Sequence, residues 1–293
     1  MKIEQDQSLG GRRATKMNGA GNEILMLDLR GSAARVTPDD AKKIGAAEGL
    51  HYDQLMVLYD PARADAAAAM KIFNIDGSLS GACGNGARCV AWALLRDNAD
   101  RRLLLESDGG LLCVTRQADG RLTVDMGPPK LDWRAIPLAG AGENTERVAL
   151  TPAVPGAPGE FCAVSMGNPH AVFFVPDAYA VDLAALGPQI ENHPLFPERA
   201  NISFAQIRTR DSLVLRVWER GAGATLACGT AACATAVAGV RLGLTARIVT
   251  LALPGGDLRI EWRASDGHVL MQGPVELEFE TKLDAAIFAQ PGA

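Results

Sequence analysis

Two cysteines in this sequence are placed to do chemistry. Cys83 lies in Gly81-Ala82-Cys83-Gly84-Asn85-Gly86-Ala87-Arg88-Cys89, and Cys228 in Leu226-Ala227-Cys228-Gly229-Thr230-Ala231-Ala232-Cys233. Each is a cysteine, then a glycine, then a run apolar on nearly every side: Val90-Ala91-Trp92-Ala93-Leu94-Leu95 after the first, Ala234-Thr235-Ala236-Val237-Ala238-Gly239-Val240 after the second. Such runs predict buried helices. A helix start carries unpaired N–H groups and a partial positive charge, which lowers a thiol's pKa and receives an anion such as a carboxylate. With one tetrahedral carbon between two such thiols, one thiolate takes its hydrogen from one face and the other thiol returns a proton on the opposite face, and the centre inverts. The carbanion's charge spreads onto the neighbouring carboxylate, for which the N–H pairs at Gly84-Asn85 and Gly229-Thr230 are suitable donors. No metal or electron-sink cofactor has an evident site.

Positioning two such groups requires two similar supports, and the chain repeats itself once. Gly21-Asn22 before the strand-like Glu23–Asp28 returns as Gly167-Asn168 before Pro169–Phe173, with Asn168 following Asn22 by 146 positions. Met70–Asn74, the strand before the first cysteine, returns as Val214–Arg220, and Cys228 follows Cys83 by 145 positions. The turns at Asp108-Gly109 and Asp119-Gly120 return at Pro254-Gly255-Gly256 and Ser265-Asp266-Gly267, and Gly127-Pro128 returns as Gly273-Pro274, again after 146. One repeat at half-length predicts two copies of one domain, with a ligand cleft between them and approximate two-fold symmetry. The expected domains are residues 1–128 with 275–293, and residues 129–274, the strand-like Val275–Glu280 crossing back to the first. Within the first copy, Thr37 is expected to cap a helix over Pro38 to Gly49, and strands at 103–106, 111–115 and 122–126 to form a meander. Asn22 is expected to be exposed by its turn.

Composition narrows the function classes. At 293 residues with 48% apolar side chains, the chain can build two real cores. A net charge of −5 with no basic run gives no footprint for nucleic acid or an anionic membrane, so small polar partners are expected. No stretch reads as a membrane span or a signal-peptide core, which makes the cytoplasm the default compartment. Six cysteines without a C-x-x-C pair, and four histidines that fall singly, suggest neither a disulfide scaffold nor a zinc site.

Several motifs together resemble those of the diaminopimelate epimerase family: Asn74-Ile75-Asp76-Gly77-Ser78, Ala82-Cys83-Gly84-Asn85-Gly86, Gly167-Asn168-Pro169-His170, Glu219-Arg220-Gly221 and Ala227-Cys228-Gly229-Thr230. The similarity runs from about Thr15 to Phe279. It implies an α+β fold of two pseudo-symmetric domains, each a β-barrel-like sheet around a central buried helix, often assembled as a homodimer. It also implies cofactor-independent interconversion of LL- and meso-2,6-diaminopimelate on the route to lysine and peptidoglycan. Carried onto this chain, Cys83 and Cys228 would be the acid/base pair, and Gly84, Asn85, Gly229 and Thr230 would hold the reacting carboxylate. Asn22, Gln54, Asn74, Asn168, Asn201, Glu219 and Arg220 would hold the amino groups and the distal end, while His170 and Glu219 would tune the thiols. Ala231 stands where the family usually has glycine.

Blander readings compete. A single helix-start cysteine is ordinarily a packed small residue; two related by an internal repeat are not. Cys89 and Cys233 read as core, Cys113 and Cys162 as buried filler, and His51, His193 and His268 as surface or loop. A cysteine hydrolase built from Cys83, His170 and Asn168 would leave Cys228 without a task. A redox or metal-binding module would use the two cysteines as a pair. Proline racemases and phenazine-biosynthesis isomerases resemble the expected duplicated fold, but the former surround their cysteines with other motifs and the latter lack the pair.

Overall fold

A computed structural model describes residues 7–81, 83–139, 142 and 144–289. Ala82 of the first cysteine motif, the opening of the polar leader, and part of the Pro/Gly/Ala-rich stretch at 140–143 lie outside the described residues. The chain divides into two compact units, Met1–Val124 with Val275–Ala293, and Asp125–Pro274.

The first unit runs β1 (Arg13–Gly19), β2 (Asn22–Asp28), α1 (Pro38–Ala46), β3 (Gln54–Tyr59), β4 (Ala68–Asn74), β5 (Leu79–Ser80), α2 (Gly84–Leu95), β6 (Arg102–Ser107) and β7 (Gly110–Arg116), with β8 (Leu122–Asp125) at its boundary. The second runs β9 (Val148–Ala149), β10 (Glu160–Ser165), β11 (Pro169–Phe174), α3 (Leu183–Glu191), β12 (Asn201–Thr209), β13 (Ser212–Glu219), β14 (Gly223–Thr225), α4 (Gly229–Arg241), β15 (Ile248–Leu253), β16 (Gly256–Trp262) and β17 (Val269–Gln272). The last strand, β18 (Glu276–Lys282), returns to the first unit and pairs antiparallel with β1, as β9 pairs with β10 in the second.

Pairing repeats with element order. β1–β2 and β10–β11 are antiparallel, β2–β3 and β11–β12 parallel, β3–β4 and β12–β13 antiparallel. β4–β6 and β13–β15 are again parallel, and β6–β7 and β15–β16 antiparallel. Each parallel step needs a crossover, and each crossover carries a helix: α1 and α3 for the first, α2 and α4 for the second.

These strands are covered on both faces, which is why Ile24-Leu25-Met26-Leu27 is continuously apolar rather than alternating. One face of β2 and β3 joins Ile44 and Tyr52 in a core that also holds Leu25, Leu27, Leu55 and Val57. The other packs against α2, so closely that a Cβ on Gly86 would fall 1.7 Å from Met56 Cε. In the second unit Phe173 and Phe204 stack at 5.3 Å and Phe161 tilts against Phe173 at 5.4 Å, beneath Leu186 and Ile190 of α3. The central helix α4 packs against β10, β11, β12, β15, β16 and β17.

One sequence expectation changes, the length of the first helix, and two elements go beyond the sequence reading. Ala14–Met17 is part of a full strand closed on β2 by a two-residue turn, Ala20 (φ +59°) and Gly21 (φ +80°), the twist a tight hairpin requires. Helix α1 is capped by Thr37 in a reciprocal box with Asp40, but it ends at Ala46, because Ala47 is already extended at φ −71°, ψ 143°. Helix α3, the counterpart of α1, was hidden by Pro188 in its interior; the preceding Asp182 caps it by accepting from the Ala185 amide at 3.0 Å.

Candidate active site

Each unit holds its cysteine in the same backbone geometry. Cys83 is the N-cap of α2 at φ −144°, ψ 108°, and Cys228 the N-cap of α4 at φ −133°, ψ 113°. Extended backbone at an N-cap turns the side chain back over the first free N–H groups of the helix. Cys83 Sγ accepts from the Gly86 amide at 3.2 Å, a thiolate-compatible contact, and is half-buried.

Around Cys83, the register Gln54↔Asn74 and Ile24↔Gln54 brings three strand ends together, with Asn22 two residues before Ile24. Gln54 Nε2 donates to Asn74 Oδ1 at 3.3 Å, and Asn74 Nδ2 donates to Ser78 Oγ at 3.0 Å. Asn22 pairs with Gly19, whose backbone lies against Asn85 in the first turn of α2. Asn22 is therefore half-buried rather than exposed, and its Oδ1, Gln54 Oε1 and Asn85 Oδ1 are buried without a hydrogen-bond partner. A buried acceptor left unmatched costs about 1–3 kcal/mol. Three in one unit are poised to receive donors, of which an ammonium group is the fitting kind.

Around Cys228, the partners come from the residue before β11, from the end of β13 and from α4. The thiol lies 3.5 Å from Thr230 Oγ1, and Asn168 Nδ2 donates to that hydroxyl at 3.3 Å. Glu219, ending β13, accepts from Thr225 Oγ1 at 2.6 Å, and its negative charge acts on the Cys228 thiol. Burial and then the Glu219 charge push the Cys228 thiol well above its ordinary pKa, with the Thr230 hydroxyl and the Ala231 amide opposing them. Helix-start stabilisation alone would have lowered it, so at this cysteine desolvation wins over the dipole. The thiol is thereby held protonated.

Other expected residues take more specific places. His170 is fully buried, and its Nε2 lies 2.9 Å from Asn168 Oδ1, so its hydrogen bond fixes that amide rather than reaching a thiol. Burial and the nearby Arg220 push its pKa down to about 3, and the ring stays neutral. Asn201 donates to Pro169 O at 3.0 Å and accepts from the Arg220 amide at 3.0 Å, tying β11 to the end of β13. Arg220 is exposed, with Nη1 donating to Glu198 O at 3.0 Å. Thr225, which orients Glu219, was not legible in the sequence; it lies on a three-residue strand too short to carry a pattern.

Of the remaining cysteines and histidines, Cys113 and His193 depart from expectation. Cys89, Cys162 and Cys233 are buried, with burial pushing Cys89 up to about 12 and Cys162 to about 11. Cys113 is half-buried, its sulfur accepting from Arg102 Nε at 3.0 Å, because β7 turns that position toward its hairpin partner. His193 is not a surface residue: its Nε2 meets Pro152 O at 2.8 Å and its Nδ1 accepts from the Leu195 amide, which buries the ring after α3. His268 pairs with Asp125 at 2.8 Å, and His51 is exposed.

The His170 environment carries a pH consequence. Its folded pKa lies below the unfolded value of 6.5, so neutral His170 contributes stability that is complete above about pH 6.5 and lost as pH falls toward 3. Replacing His170 with glutamine should flatten acid destabilisation in that window, read as urea midpoints between pH 7 and 4. Equal slopes in the two proteins would show that the histidine does not titrate there.

A sequence model described as Diaminopimelate epimerase matches residues 14–131 and again 162–278, one match in each repeat. The diaminopimelate epimerase of Methylocella silvestris is 54% identical over 287 residues, covering 97% of this chain and 99% of that protein. The chain belongs to the diaminopimelate epimerase family. Another member, from Methylorubrum populi, is 54% identical over 292 residues, covering 96% of this chain and 98% of its own length. Among solved structures, a hydroxyproline epimerase from Agrobacterium vitis shares the fold at TM-score 0.67 and 14% identity, over 93% of this chain and 92% of its own. A predicted epimerase from Pseudomonas aeruginosa does so at TM-score 0.65 and 20% identity, over 93% of this chain and 99% of its own. The fold of this chain is α+β, with a cysteine at the N-cap position of one helix in each repeated unit.

Proposed function

We propose that this protein interconverts LL- and meso-2,6-diaminopimelate by two-base chemistry: one cysteine, as thiolate, removes the α-hydrogen from one face of a carbon, and the other, as thiol, gives its own proton to the opposite face. The observation that carries this reading is that Cys83 and Cys228, one in each repeat, occupy the N-cap positions of their helices with near-identical backbone geometry. Cys83 and Cys228 act as the acid/base pair on opposite faces of the carbon, and the Glu219 charge keeps Cys228 in its thiol form at rest. Gly84, Asn85, Gly229 and Thr230 hold the reacting carboxylate on the first N–H groups of α2 and α4. The acceptor oxygens of Asn22, Gln54 and Asn85 favour an ammonium group, and Asn74, Asn168, Asn201 and Arg220 complete the hold on the distal end. His170 acts through Asn168 as a neutral ring.

No electron-sink cofactor enters this mechanism. The reading places the protein in the cytoplasm as a homodimer on the route to lysine and peptidoglycan, following the family. No helix among the described residues is long and apolar enough to cross a membrane.

The experiment is incubation with LL-diaminopimelate in deuterated water. Deuterium at one α-carbon, appearing together with the meso isomer, is the expected result. Inversion without incorporation of solvent deuterium, or no inversion, would sink the proposal.

A further inference from the structure

The most elaborate polar cluster that the mechanism leaves unused is a buried carboxylate on α3. Glu191, the last residue of that helix, is only 5% exposed, an unusual place for a charge unless its partners are fixed. It has three donors. Trp218 Nε1 donates to Oε2 at 2.7 Å, the Gly221 amide to Oε1 at 2.9 Å, and Arg199 Nη1 to Oε1 at 3.3 Å.

Two of those donors flank Glu219 and Arg220. Trp218 precedes Glu219 on β13, and Gly221, at φ +77°, is the residue on which the chain turns back into β14. The intervening Arg220 amide is held from the other side by Asn201. The turn that begins at Glu219, the Cys228 partner, is therefore pinned at Trp218, Arg220 and Gly221, and two of the pins meet at one carboxylate.

The packing agrees. Gly187, one turn earlier on α3, lets the Trp218 ring lie directly on the helix, since a Cβ there would fall 2.3 Å from Trp218 Cδ2. Helix α3 thus presents a bare surface to the indole ring and an anionic acceptor to the indole N–H. A helix that merely covered the sheet would need neither.

We propose that Glu191 is a positioning residue, whose bonds to Trp218 and Gly221 set the Glu219–Arg220 turn and so hold the Glu219 carboxylate against Cys228. It touches neither thiol nor substrate, and acts through the turn. This rests on the function proposed above only for the activity measurement; that Glu191 holds the turn is independent of which substrate is turned over.

The test compares Glu191→Ala and Glu191→Gln with a control, Ile190→Val, which loosens the same helix in its apolar core. Three readouts are taken well below each variant's melting temperature: hydrogen exchange at the Gly221 amide, alkylation of Cys228 by iodoacetamide in a Cys83→Ser background, and kcat and KM on LL-diaminopimelate with Cys83 intact. Glu191→Ala is expected to speed exchange at Gly221 and labelling of Cys228, and to lower kcat by on the order of 10²-fold, the effect of about an ångström of misplacement. Glutamine keeps one acceptor for Gly221 but offers an N–H where Trp218 needs an oxygen, so it should restore activity only in part. Ile190→Val should lower the melting temperature and leave kcat, Gly221 exchange and Cys228 labelling unchanged.

Unchanged exchange and labelling in Glu191→Ala would overturn the proposal, as would a kcat loss matched by Ile190→Val. A wild-type protein inactive on diaminopimelate, with exchange and labelling still raised by Glu191→Ala, would overturn the substrate reading and uphold the role of Glu191.

Discussion

Serine at Cys228 is expected to lower turnover of diaminopimelate by on the order of 10³-fold or more while leaving the protein folded, and serine at Cys83 should do the same. Positioned acid/base groups contribute about 10²–10⁴-fold when their pKa is within reach of the working pH, and a serine hydroxyl is far outside that range. The structural change is small. At Cys228 the new hydroxyl would sit beside Thr230 Oγ1, now 3.5 Å from the sulfur, so a buried polar group would have a partner. At Cys83 the Gly86 amide, 3.2 Å from the sulfur, would donate to the serine oxygen as an ordinary N-cap bond. Thermal melts should therefore stay close to wild type while isotope exchange at the α-carbon stops. Undiminished exchange in either variant would remove that cysteine from the mechanism.

The largest expected loss of stability follows Phe173→Ala. Phe173 is fully buried on β11, stacked on Phe204 and against Phe161, beneath α3. Removing a core phenylalanine costs about 3–5 kcal/mol through lost transfer energy and the cavity left behind. Against a total of about 5–15 kcal/mol for a folded domain, that is enough to populate the unfolded state of the second unit at growth temperature. The functional cost would follow, because β11 carries His170, starts directly after Asn168 and fixes the register His170↔Asn201. Urea unfolding of the variant checks this. A loss below about 1 kcal/mol would mean that the site collapses around the missing ring, and that the aromatic cluster does not hold β11. Phe173→Leu, which refills most of the volume, should recover most of the loss.

How much was legible can be judged from particular residues. Cys83 and Cys228 stand out because a cysteine, a glycine and an all-apolar run make a local signature of a capped, buried helix, and the structure has that signature twice. Thr37 was readable as a cap for the same reason: its bonds reach only three residues along the chain. The character of the Cys228 thiol was not, because its pKa depends on burial by strands remote in sequence and on a carboxylate nine positions away. His170 was readable as important but not as a neutral ring that acts on Asn168, since that needs the face of β11 on which it lies. Glu191 and α3 were missed together: an interior proline disguised the helix, and a glutamate at its end gave no hint of burial.

By itself the sequence determined the duplication, the two helices and the residues at their starts, because these follow from apolar periodicity and from capping bonds a few residues long. The tertiary structure decided which polar groups are desolvated, which acceptors are left for a ligand, and which side chains hold others in place. Those depend on burial and on contacts between strands tens of residues apart, where the energy of a charge or a hydrogen bond is set by surroundings that no local stretch encodes.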